Sequence, residues 1–398
     1  MPEQNPVPGA ALEDLLVLEL GDEGTQYCGK LLADMGAQVI KVEPPEGAGA
    51  RHRGPFAEYK PDPNGSLYFW AWNTSKRSVV LDLRSARDRA KLKRLVRLAD
   101  VVLEDFQPGH LDQLRLGYAH LRRLNPRLVM TSVTSFGQTG PLAHWKGSDL
   151  VHWAMAGNMW LIGYDDPATP PLCPQGDHSY LIAGHWACIG TLAALWERDS
   201  TGAGQHVDVS AHEAGSFATE WSVPELEYLG THTRRHDYLG GAIRCKDGRY
   251  FIPQMVNIGP DRWSRFVDWL KQLGVGQHLY EDKFFDPDVL RTHLHVVLDV
   301  IRGIAATKTA DEMWVEGQRL GFTWVIFNAP EELLSDEQLL YRKFFQTVDH
   351  PERGQAYQYA GPPYEWSDAP WHISRRPPLL GEHNAMLAEL LQRSKGAL

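Results

Sequence analysis

The chain has 398 residues, 50 of them acidic and 40 Lys or Arg, for a formal net charge of -10 at pH 7. With 43% hydrophobic and 23% charged residues it has the make-up of a soluble globular protein, which excludes fibrous, disordered and membrane-embedded classes. The acidity argues against nucleic acid or an anionic membrane as the main partner, because both need a positive field. An anionic ligand must therefore meet a local basic cluster.

The length points to one large α/β domain and a smaller one rather than a single core. Met1 to Ala10 has neither the basic nor the apolar segment of a secretory signal. No stretch approaches the roughly 18 apolar residues that a membrane span needs. Cys28, Cys173, Cys188 and Cys245 lie far apart without metal-type spacing, so neither zinc nor a disulfide framework is indicated. A cytoplasmic protein without metal is expected.

In chain order, Leu15–Leu20 reads as a strand, Tyr27–Met35 has apolar residues at helical spacing, and Gln38–Val42 is a second strand, which together make a βαβ unit. A second unit follows, with strand Ser78–Leu83, basic amphipathic helix Ala86–Leu98 and strand Asp100–Glu104. A helical stretch over Leu111–Leu124 is closed by Asn125-Pro126 and leads to strand Leu128–Val133. This alternation predicts a mostly parallel, Rossmann-like sheet. Helical patterns rich in Ala, Gly and Trp then cover Ser148–Gly163 and Tyr180–Arg198, and strand Gln205–Ser210 follows the turn Thr201-Gly202-Ala203-Gly204. Beyond, Cys245–Tyr250 reads as a hairpin, with helices through about Ile304, over Ala310–Arg319 and, at the end, over Glu382–Gln392. The expected division is a large Rossmann-like domain over 1–227, a small α+β domain over 228–330, and a linker with a C-terminal return to the large domain over 331–398.

A Rossmann-like first unit invites a dinucleotide, which needs a glycine-rich first turn for the pyrophosphate to approach. Here the turn is Gly21-Asp22-Glu23-Gly24-Thr25, with two carboxylates where phosphate would sit, so neither nicotinamide nor flavin is expected. Basic residues recur near the ends of the early strands: Lys41, Arg51, Arg53, Lys76, Arg77, Arg84 and, later, Lys146. Such a set can neutralise a polyphosphate, although each member taken alone reads as a solvated surface charge.

Asp177, in Gln175-Gly176-Asp177-His178-Ser179-Tyr180, precedes a long helix of small residues. Its plain reading is an N-cap, worth about 1 kcal/mol. The same helix end favours a carboxylate by about 0.3–1 kcal/mol, and a carboxylate can attack an acyl group. His178 is an acid-base candidate or a structural histidine, and Cys188 reads as a packed small hydrophobe. No GxSxG elbow is present.

Taken together the motifs resemble the class III CoA-transferase family, the CaiB/BaiF group with formyl-CoA, carnitine and benzylsuccinate CoA-transferases. The resemblance runs through Leu31-Leu32-Ala33-Asp34-Met35-Gly36-Ala37 into Val39-Ile40-Lys41-Val42-Glu43-Pro44-Pro45, Asn73-Thr74-Ser75-Lys76-Arg77-Ser78, and Glu104-Asp105-Phe106-Gln107-Pro108-Gly109. It continues through Leu124-Asn125-Pro126, Ser135-Phe136-Gly137-Gln138-Thr139-Gly140-Pro141, Thr201-Gly202-Ala203-Gly204-Gln205 and Leu380-Gly381-Glu382-His383. It implies that Asp177, followed by Gly184, is the nucleophile: its carboxylate attacks a donor acyl-CoA, and a mixed anhydride gives an aspartyl-CoA thioester that passes CoA to an acceptor acid. It further implies coenzyme A contacts from Lys41, Arg84, Asp105, Phe106 and Lys146. Asp105 and Gln107 depart from the family's usual Asn and Arg, and Gln113 stands where a basic residue is common. An interlocked homodimer is the implied assembly, with the active site between large and small domains.

Two other functions compete. An α-methylacyl-CoA racemase shares the implied fold but needs an acid-base pair; the histidine of its G-H-D motif is Ser148 here, and His152 lies a helical turn away. A non-catalytic CoA-binding subunit of a heteromer is the other, which an intact Asp177 disfavours. Gly240-Gly241 is the only short candidate for a glycine loop of the oxalate-type enzymes. Trp145, Trp153, Trp160 and Trp186 suggest a bulky apolar or aromatic acceptor.

Overall fold

The computed structural model describes residues 9–163, 168–219, 221–231, 241–255, 258–369 and 371–394; Gly240 lies outside them. The chain divides into two compact units, one of Met1–Gly163, Pro170–His232 and Arg342–Leu398, the other of Tyr164–Thr169 and Thr233–Tyr341.

The first unit opens with β1 (Leu16–Glu19), α1 (Gln26–Asp34) and β2 (Gln38–Glu43), then α2 (Leu67–Trp72), β3 (Arg77–Val80), α3 (Ala86–Val96) and β4 (Val101–Glu104). The expected single helix after β4 is two short ones, α4 (His110–Gln113) and α5 (Tyr118–Leu121). The reason is local: Arg115 adopts φ 57°, which a helix cannot accommodate. Next come β5 (Val129–Thr134), α6 (Asp149–Met155), α7 (Asn158–Leu161), the 24-residue α8 (His178–Thr201), β6 (His206–Ser210), α9 (Ala211–Phe217) and α10 (Ser222–Leu229).

The six strands form one parallel sheet in the order β3-β2-β1-β4-β5-β6. The central strands β1, β2 and β4 carry apolar residues on both faces because alternate side chains serve two layers. Val17, Val39, Val101 and Val129 pack with Cys28, Leu32, Ala183 and Ala187 of α1 and α8. Leu18, Ile40, Val102 and Met130 pack on the other face with Leu92 and Leu95 of α3. α8 comes close to its neighbours through small residues: a methyl group on Gly184 would press on Tyr27 and the backbone of Cys28. Gly204 is required at the entry to β6, where a Cβ would collide with the Leu128 carbonyl.

The second unit holds a three-stranded antiparallel sheet of β7 (Ile243–Arg244), β8 (Tyr250–Ile252) and β9 (Val325–Phe327), with α11 (Pro260–Leu273), α12 (Pro287–Thr292), α13 (Leu294–Ala305), α14 (Ala310–Leu320) and α15 (Glu337–Tyr341). Trp263, Phe266, Phe251, Phe322 and Trp324 form its aromatic core. The last segment belongs to the first unit. It is not simply extended, since β10 (Phe345–His350) and β11 (Gln355–Ala360) make an antiparallel hairpin before α16 (Asn384–Arg393) docks beside α3 and β3. Among the described residues, no helix is long and apolar enough to cross a membrane, and no group of three His, Cys, Asp or Glu side chains is placed to hold a metal.

Candidate active site

A cleft of about 270 Å³ opens at the carboxyl ends of β1, β4 and β5, among Glu23, Asp105, Phe106, Ser135, Trp145 and Tyr180. Strand order reverses between β1 and β4, and parallel sheets bind ligands at such a switch point.

The β1–α1 turn is built to be acidic and rigid. Asp105 accepts the backbone N–H groups of Asp22 and Gly24 at 2.8 and 2.9 Å. Burial, reinforced by the Asp22 charge, raises the Asp105 carboxyl to about 6 despite these bonds. Asp22 in turn accepts the Ala50 N–H at 3.1 Å. The two acids that argued against a pyrophosphate are therefore used as braces, Asp22 for the backbone and Glu23 for Arg53.

Beneath the turn, Glu19 is held between Lys41 and Lys76, each 2.7 Å away, and all three side chains are fully buried. Burial alone would raise Glu19, but the two ammonium groups outweigh it and hold the carboxyl below its usual value. Lys76 is lowered to about 8 by its burial. Lys41 also donates to the Gly21 carbonyl at 2.8 Å. Lys41, expected as a ligand contact, lies fully buried under the turn and anchors it from below.

Asp177 stands at the N-cap position of α8 with φ 58°, following Gly176 at φ 97°. This left-handed pair turns the chain sharply, at a cost that a non-glycine residue carries only where the surroundings enforce it. Its side chain makes no capping hydrogen bond. Capping is supplied from α6, where Asp149 accepts the Ser179 N–H at 2.9 Å. The Asp177 carboxylate, 14% exposed, instead meets Arg53 at 2.6 Å. Arg53 also holds Glu23 at 2.7 Å and lies 4.2 Å over the Tyr68 ring. Burial works against the Arg53 charge, but pairing with Asp177 and Glu23 raises it, so this group is a fixed cation. Burial, with Glu23 and Asp177 close by, raises the phenols of Tyr68 and Tyr180, which stay protonated as hydrogen-bond donors.

Of the other residues singled out, Asp105 and Phe106 line the cleft, with the Phe106 ring stacked 5.1 Å from His110. Lys146 is exposed between Trp145 and Gly147, both in the cleft wall. Arg84 lies away from this wall, 70% exposed and paired with Asp82 at 2.7 Å. Of the four tryptophans, Trp145 is in the wall, while Trp153 is buried core and Trp186 packs edge-on to Phe217. His152 is buried, its Nδ1 3.0 Å from the Ser179 hydroxyl, and burial depresses it to about 4. Neutral and enclosed, it is a poor acid-base group for racemisation.

Nothing in the chain order singles out Arg53 from seven cations, or Glu23, Tyr68 and Asp149 at all. Their roles depend on loops that meet only in the folded unit.

The family model of CoA-transferase family III matches residues 12–384. The chain belongs to CoA-transferase family III. It is similar to the succinyl-CoA:(R)-benzylsuccinate CoA-transferase subunit BbsE of Thauera aromatica, with 33% identity over 92% of this chain and 91% of that one. It is also similar to the succinyl-CoA–D-citramalate CoA-transferase of Chloroflexus aurantiacus, with 32% identity over 95% and 93% of the two chains. Among solved structures, a CaiB/BaiF family protein from Brucella suis superposes with a TM-score of 0.84 at 29% identity, covering 96% of this chain and 100% of that one. As a family III member whose relatives are named CoA-transferases, the protein is a transferase enzyme.

Proposed function

We propose that this family III enzyme moves CoA from a donor acyl-CoA to a carboxylic acid through an aspartyl-CoA thioester on Asp177. The observation that carries the reading is the Asp177 side chain that does no capping: Asp149 performs it, and the carboxylate pairs with Arg53, which also holds Glu23 of the cleft wall. Attack by the carboxylate on the thioester carbonyl forms a mixed anhydride and releases CoA thiolate, which then attacks the aspartyl carbonyl and frees the donor acid. Each tetrahedral step places charge on an oxygen, for which the protonated phenols of Tyr68 and Tyr180 are the proposed donors. Coenzyme A contacts are assigned to Phe106, Asp105 and Lys146 at the cleft, and to Arg84 farther out. The bulky-acceptor reading rests on Trp145 alone.

The assembly proposed is an interlocked homodimer. In α10 no residue is buried, and Trp221, Tyr228 and Leu229 are 84%, 89% and 68% exposed. Apolar surface of this extent on one segment suits a permanent partner, and a second copy of this chain presents the same surface. The subunit status of the Thauera relative makes a heteromer the outcome to test against. A cytoplasmic setting is proposed with this assembly. The function is tested by substituting Asp177 with alanine or asparagine: exchange of labelled succinate into succinyl-CoA is expected to fall by at least a thousandfold. Exchange within tenfold of the native enzyme would refute the assignment.

A further inference from the structure

We propose that Arg53 is the carboxylate-exchange residue of the reaction: it holds Asp177 at rest and takes the carboxylate of the donor, then of the acceptor, while Asp177 carries CoA. This rests on the reading of Asp177 as nucleophile.

The first ground is charge. The cleft wall carries Asp22, Glu23 and Asp105, so a free acid entering it meets like charge. Of the four cations Lys41, Arg51, Arg53 and Lys76, three are buried on other carboxylates. Lys41 and Lys76 are buried on Glu19, and Arg51 is buried on Glu43 at 2.6 Å. Arg53 is 40% exposed.

The second ground is geometry. The terminal nitrogens of Arg53 divide their work, Nη1 on Glu23 and Nη2 on Asp177. The Tyr68 ring supports the guanidinium plane, so the fork keeps its orientation when one anion leaves. A planar guanidinium accepts one carboxylate in place of another with the same donors.

The third ground is the balance of the reaction. Attack of Asp177 forms a C–O bond to the thioester carbon and breaks its C–S bond, and the electron pair leaves with the thiolate. The thiolate then bonds to the aspartyl carbonyl carbon, and the donor carboxylate departs with the electrons of the C–O bond. Asp177 is now a neutral thioester and one new carboxylate has appeared within reach of the same side chain. If that carboxylate takes the vacated place on Nη2, the charge around Arg53 is the same before and after. The acceptor acid exchanges for the donor acid at this place and the steps run in reverse. No proton need be moved.

The test uses the full-length enzyme with succinyl-CoA as donor and (R)-benzylsuccinate and succinate as acceptors, comparing Arg53→Gln and Arg53→Lys with the native protein. Expected for Arg53→Gln is at least a tenfold rise in KM for the acid with KM for succinyl-CoA within twofold, and partial recovery in Arg53→Lys. Circular dichroism and the thermal midpoint check folding, and the lysine variant keeps the test open if the glutamine variant is unstable. An unchanged KM for the acid, or equal rises in both KM values, overturns the proposal. Trapping with hydroxylamine separates the two readings. If native Asp177 is modified but Arg53→Gln keeps its acid KM, only the role of Arg53 fails; if native Asp177 is never modified, both fail.

Discussion

At the residue scale the site is a set of carboxylates with separate environments. Glu104 is buried at the end of β4, and burial raises it to about 7 despite hydrogen bonds from Ser132 and the Phe106 N–H. Its folded value lies above the ordinary 4.5, so its contribution to stability is complete below that pH and is lost as pH rises through about 7. His152 has the opposite sign. Its folded value of about 4 lies below the ordinary 6.5, so its contribution is complete above pH 6.5 and is lost as pH falls toward 4. Each is worth on the order of 2–3 kcal/mol, so in the native protein they largely cancel over the same window. Glu104→Gln is expected to lose stability more steeply on acidification, and His152→Gln less steeply, in denaturant titrations at pH 4.5, 5.5 and 6.5. Parallel pH profiles for the two variants would contradict these environments. Glu19→Gln leaves Lys41 and Lys76 buried without their shared anion, and a loss of about 3–5 kcal/mol is expected in the same titration. Such buried charges were visible in the sequence as residues but not as partners: Lys41 and Arg53 look alike as cations near the end of a strand, and only the fold shows one sealed under the turn and the other paired with Asp177.

At the element scale, the first β-α-β units and their order were legible because period and turn chemistry agreed. Gln38–Glu43, Ala86–Val96 and Val101–Glu104 fall within a few residues of their expected bounds. Where the reading slipped, a conformational detail was the cause. The helix after β4 is broken by Arg115 at positive φ, and the stretch read as an extended return path contains the hairpin β10–β11, whose His350 and Tyr357 pack on Trp70. The start of α8 was located correctly, while the division of labour there was not, since Asp149 is 28 residues away from Asp177 in a separate helix. Asp149→Ala is expected to cost about 1 kcal/mol as a lost cap. It also frees the Ser179 N–H, which the Asp177 side chain can then satisfy. Transferase kcat should fall while KM for acyl-CoA stays within twofold; an unchanged kcat would show that the two aspartates do not share the task as described.

At the scale of the whole molecule, the family and the transferase assignment follow from a model match over residues 12–384 and relatives spanning more than nine-tenths of the chain. The exposed aromatics of α10 lead to a specific expectation for the assembly. Light scattering on the purified chain should give about twice 44.9 kDa, and a persistent monomer would contradict a homodimer. The central claim is chemical, and one measurement addresses it directly: incubate the native protein with succinyl-CoA, quench with hydroxylamine, and map the modified residue by tandem mass spectrometry. The predicted result is a hydroxamate on Asp177 that is absent without succinyl-CoA; an unmodified Asp177 during active turnover would contradict it.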